Sequence, residues 1–123
     1  MKIRKVGTET CKGDSVITIG DEPHHQFKFE LSLRDETSEW LYSKSHFDYL
    51  NVKAFCLLAE SQQLSTFCAQ NVFTTENLNV PLERWVVLTN EHDKYAAIYL
   101  TRLSGEDKNK QAHFVYVILD SFS

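Results

Sequence analysis

The chain has 123 residues, a length that suits one domain over 1–123 and can bury roughly two thirds of its unfolded surface without a disulfide or metal staple. Its 42% hydrophobic and 12% aromatic content excludes a disordered chain, and no apolar run approaches the ~20 residues that cross a bilayer. The net charge of −4 lacks the basic footprint of a nucleic-acid binder, and three cysteines, an odd number without regular spacing, exclude a disulfide framework and fit a reducing cytoplasm.

The start, "MKIRKVGTETCKGD", is basic but lacks the apolar stretch of an export signal, so the chain is read as beginning at its own Met1. "KIRKV" reads as a first strand or an arm, and "DSVITIG", β-branched and closed by glycine, as a strand. In "QFKFELSLR" the alternation is strict. Phe27, Phe29, Leu31 and Leu33 share one face while Lys28, Glu30, Ser32 and Arg34 share the other, which predicts a half-buried strand with one wet face. "DETS" is a polar turn and "EWLYSK" the returning strand, with Trp40 and Tyr42 on one face.

From Ser45 the spacing changes. Phe47, Leu50, Ala54, Leu57, Leu58, Leu64 and Cys68 fall near helical periodicity, and Ser45 with Asp48 resembles a capping box. This predicts a helical segment over about 46–72, broken near "ESQQ". The run "VKAFCLLA" also fits a buried strand, and periodicity alone does not separate the two. Cys56 and Cys68, among apolar neighbours, are expected to be buried.

"NVFTTENLNVPLE" reads as a connection. The last third predicts an antiparallel meander: "RWVVLTN", a turn at "EHDK", "KYAAIYLTRL", an exposed loop "SGEDKNKQ", and "HFVYVILD". The last strand is apolar on both faces and belongs in the centre of a sheet or under a helix. Tyr95 and Tyr99, on one face, would form a partner patch beside Trp85 or Tyr116 unless that face is covered. The predicted class is α+β: a twisted antiparallel sheet of about six strands with one helical segment packed on one side.

Chemistry-bearing residues are few. "GDEPHHQF" juxtaposes two acids and two histidines, but neighbours on a strand point to opposite faces, so His24 and His25 cannot share one ion. Zinc needs three or more convergent ligands, and no H-x-H, H-E-x-x-H or C-x-x-C is present, so no metal site is expected and the stretch reads as a turn and strand start. His46, His92 and His113 fall at a helix start, a hairpin tip and a strand start. No G-x-S-x-G, G-x-G-x-x-G or P-loop occurs, so no catalytic residue or cofactor is assigned.

Charge placement is more informative. The first twenty residues carry +2, whereas residues 21–39 hold six acids against two bases and residues 48–93 again six against two. Such regions either keep a small protein soluble or meet a basic partner. In size, acidity and lack of catalytic motif the whole chain resembles the immunity proteins of bacterial contact-dependent inhibition systems. That resemblance implies direct binding to a basic toxin domain, often a nuclease, and blockade of its active site. The contacts would be Asp21, Glu22, Glu30, Asp35, Glu36 and Glu39, with Trp40 or Tyr42 as anchors. Two other readings stay open: a small hydrolase or acid–base enzyme in which histidines converge with a carboxylate, and a carrier enclosing an apolar ligand. The sequence does not set the oligomeric state.

Overall fold

A computed structural model describes residues 1–67 and 71–121. Among them are nine strands: β1 (Lys2–Lys12), β2 (Ser15–Asp21), β3 (His25–Asp35), β4 (Ser38–Tyr42), β5 (Val52–Leu57), β6 (Leu78–Pro81), β7 (Trp85–Asn90), β8 (Tyr95–Ser104) and β9 (Gln111–Ser121). All pairings are antiparallel. They build a five-stranded sheet, ordered β1-β9-β8-β7-β5, and a four-stranded sheet, ordered β2-β3-β4-β6. One apolar core joins the two, taking Phe27, Phe29, Leu31 and Leu41 from the smaller sheet and Phe55, Leu88, Ile98, Phe114 and Ile118 from the larger. The protein is a mainly-β sandwich.

The alternation read in "QFKFELSLR" is present: Phe27, Phe29 and Leu31 are fully buried, while Lys28, Glu30 and Ser32 are half-exposed on the outer face. Phe29 meets Phe114 of the opposite sheet edge to face, at 6.4 Å between ring centroids.

The α+β prediction with a helix over 46–72 needs correction. Residues 52–57 are β5, and the only helical turn described between 46 and 67 is a 3₁₀ turn, Leu64–Thr66. Positions 68–70, with the expected burial of Cys68, lie outside the described residues. The misleading signal has a clear origin. β5 is apolar on both faces: Phe55 enters the main core, and Cys56 faces a second cluster with Leu58, Leu64, Phe67, Val87, Ala97, Val117 and Leu119. Two-sided burial erases the period of two, and a register shift between Val52 and Ala54 breaks it further. β6, hidden in the "connection", is a second strand the pattern did not reveal.

That second cluster also settles Tyr95. The segment carrying Leu58, Leu64 and Phe67 roofs the outer face of the five-stranded sheet, and Phe73, Trp85 and Tyr95 pack against the same cluster. "HFVYVILD" is apolar on both faces because β9 is an interior strand of its sheet and lies partly under this roof.

Candidate functional site

The stretch "GDEPHHQF" forms the turn between β2 and β3. Gly20 has φ +84°, and a Cβ there would stand 1.9 Å from the carbonyl oxygen of His25, so only glycine fits. The two histidines diverge, as strand geometry requires. His24 meets His92 of the β7–β8 turn, with ring centroids 4.6 Å apart. His25 lies 3.6 Å from Asp120, and Arg4 bonds Asp21 at 3.0 Å and approaches Asp120 at 3.6 Å. Burial, followed by the charges of Arg4 and Lys94, lowers the pKa of His25. Buried Asn90 fastens the two turns, donating from Nδ2 to the His24 and Gln26 carbonyls at 2.9 and 3.0 Å and accepting from the amides of His92 and Lys94. This end of the sandwich is a structural clasp. Among the described residues, no three His, Cys, Asp or Glu side chains converge as a metal site requires.

Seven of the eight expected contact residues fall in three places on the surface, and the eighth, Glu39, lies inside. Asp21 and Glu22 lie at the clasp end, where Asp21 is engaged by Arg4. Asp35 and Glu36 lie at the far end of β3, roughly 35 Å away at ~3.3 Å per residue. Asp35 accepts from the Thr37 amide and from the Ser38 and Thr37 hydroxyls, and these bonds with nearby Arg34 hold its carboxyl down at about 2. Glu30, Trp40 and Tyr42 share the outer face of the four-stranded sheet, where Glu30 pairs with Tyr42 across the ladder.

Glu39 is a correction. It is completely buried, because the pairing of β4 with Leu33 on one side and Val80 on the other turns Glu39 and Leu41 inward as Trp40 and Tyr42 turn out. Neither carboxylate oxygen has a hydrogen-bond partner. Burial pushes its carboxyl up to about 7; Lys110 pulls it down, and Asp14 and Asp35 push it further up. It cannot meet a partner.

Sequence reasoning missed how far the outer aromatic face extends. Trp40 carries the Arg34 guanidinium 5.3 Å from its ring. Tyr42 contacts Phe47 at 5.4 Å and His46 at 4.8 Å, Phe47 stacks on Tyr49 at 5.5 Å, and the Tyr49 hydroxyl donates to Glu30 at 2.7 Å. Tyr49 is 49% exposed. The helix expected over 46–72 is absent at 46–49, where turns at 44–46 and 48–49 bring these rings together.

A cavity of about 690 Å³ opens at the end opposite the clasp, between the β3–β4 turn and the β8–β9 loop, with Leu33, Arg34, Leu103, Ser104 and Lys110 among its walls. The buried Lys110 ammonium donates to the Asp35 carbonyl. Beside the cavity, His113 of β9 contacts Ser104 and Thr10 on the outer face of the five-stranded sheet. No protein-family model, no curated protein and no solved structure matches this chain. No helix among the described residues is long and apolar enough to cross a membrane.

Proposed function

We propose that the protein is a binding module that neutralises a basic protein partner, in the manner of a toxin-immunity protein, by docking through the outer face of its four-stranded sheet. The observation that carries this reading is the aromatic run Tyr42–Phe47–Tyr49, with Trp40 on the same sheet face, flanked by Glu30 and Asp48. Large rings with a polar tip are the side chains that anchor protein interfaces, and surrounding charge sets encounter rate and selectivity. Of the cations near the run, Arg34 is engaged by Asp35 and Trp40 and Lys44 by Glu91, while Lys28 shares the outer face with Glu30, so it is the −4 net charge of the whole chain that favours a basic partner. Asp21, Glu22, Asp35 and Glu36 lie at the two ends of the molecule and serve at most as a rim.

The test compares wild type with a Trp40→Ala/Tyr49→Ala variant in capture from native lysate at low and high salt, followed by assay of the purified partner. A basic protein whose capture weakens with salt, is lost in the variant, and whose own activity falls at equimolar wild type supports the reading. Capture that the variant retains, or that salt does not change, refutes it.

A further inference from the structure

We propose that Ser104, activated by His113, is a nucleophile that accepts acyl groups from small esters reaching the outer face of the five-stranded sheet at the rim of the open-end cavity. The Ser104 hydroxyl lies 2.8 Å from His113 Nε2, and Thr10 Oγ1 lies 3.0 Å from Nδ1. Arg102 Nη2 stands 3.4 Å from Nε2, and a guanidinium can only donate, so Nε2 is the acceptor on this ring. The assignment that suits all three contacts puts the proton on Nδ1, toward Thr10, and lets the Ser104 hydroxyl donate to Nε2. This is the tautomer that a general base for a serine needs.

Three strands assemble the group. Thr10 of β1 and Arg102 of β8 both lie directly across from His113 of β9. A register shift between Leu100 and Arg102 re-aims the end of β8, as bulges beside reactive groups do, and Thr101 fixes the shifted chain by donating to the His113 carbonyl at 2.9 Å. Ser104 is half-buried and borders the open cavity, while its hydroxyl meets the His113 ring on the outer face of the five-stranded sheet, at the cavity's rim.

The step balances without any co-reactant other than water. Ser104 Oγ bonds to the ester carbonyl carbon while its proton passes to Nε2. The carbon–oxygen bond to the leaving alcohol then breaks, and that alcohol takes the proton from Nε2. Water repeats the sequence on the acyl-serine, releasing the carboxylic acid and restoring the hydroxyl. A threonine hydroxyl replaces the carboxylate that usually stands behind such a histidine, so the imidazolium gains little support. Acylation is accordingly expected to outpace turnover, which makes stoichiometric labelling the informative readout.

The experiment treats the full chain with a fluorophosphonate probe and with p-nitrophenyl acetate, and locates the adduct by peptide mass spectrometry. A single adduct on Ser104, a burst of about one equivalent of nitrophenol, loss of both in Ser104→Ala, and a labelling rate lowered ~100-fold in His113→Gln are expected. Thermal unfolding of both variants, kept cooperative and near wild type, separates this from a structural role. Labelling of Ser104 that is no faster in the folded than in the urea-unfolded chain, or that His113→Gln leaves unchanged, overturns the proposal. No partner protein is needed, so the outcome is independent of the docking reading.

Discussion

Glu39 makes a quantitative prediction about stability and pH. Its carboxyl is fully buried without a hydrogen-bond partner, inside a ladder whose neighbours on that face are Leu33 and Val80. Burial raises its pKa from 4.5 to about 7, even though Lys110 pulls the other way. In the unfolded chain the group ionises near its ordinary value, so between these two pH values the folded state holds the extra proton. Stability must then fall as pH rises through this window and level off above pH 7. At 1.36 kcal/mol per pH unit of displacement, the loss amounts to about 3 kcal/mol. Glu39→Gln keeps the shape and cannot ionise. Its stability should match wild type near pH 4.5 and exceed it by about 3 kcal/mol at pH 8, about 10 °C in Tm for a domain of this size. Urea titrations of both proteins at half-unit steps from pH 4.5 to 8.5 measure the difference directly, because other groups titrate alike in each. Parallel curves, or a glutamine variant weaker at pH 8, would refute the claim that an uncompensated carboxyl sits in this core.

Three further outcomes follow from particular contacts. Gly20→Ala must accept a positive φ and a Cβ 1.9 Å from the His25 carbonyl oxygen, and should lose about 2 kcal/mol in denaturant melts. Asn90→Ala removes the side-chain partner of the His24 carbonyl and of the His92 and Lys94 amides, while Asn51 still donates to the Gln26 carbonyl; the change should cost about 3 kcal/mol, with faster hydrogen exchange at the His92 and Lys94 amides as the specific readout. The Cys11 thiol, raised to about 11 by burial and by the Glu39 charge, should react with iodoacetamide at neutral pH about 100-fold more slowly in the folded than in the unfolded protein, as followed by peptide mass spectrometry.

The strands with one wet face were legible in the sequence because solvent imposes a period of two on them, as on Phe27, Phe29 and Leu31. β5 was not, because the chain covers it on both faces and its composition alone favours a helix. The short β6 carries a proline and few β-branched residues, so it is defined by its partner β4 more than by itself. Glu39 was misjudged by residue type, yet the clue was present: if Trp40 and Tyr42 face out, their neighbours Glu39 and Leu41 must face in. The stacking of His46, Phe47 and Tyr49 and the meeting of Ser104 with His113 depend on a turn and on strand register, and neither has a local sequence signature.

The roof of Leu58, Leu64 and Phe67 has a consequence for solution behaviour. Beneath it lie Val87, Ala97, Val117 and Leu119, a greasy patch on the back of the larger sheet. Irregular chain guards this patch, whereas a second sheet guards the main core, so it is expected to be bared at lower cost than the main core when the molecule opens locally. Such a surface would glue one copy to the next. The segment that looked like a helix thus acts as a gatekeeper, and the protein's resistance to clumping on heating should track how well that short flap holds.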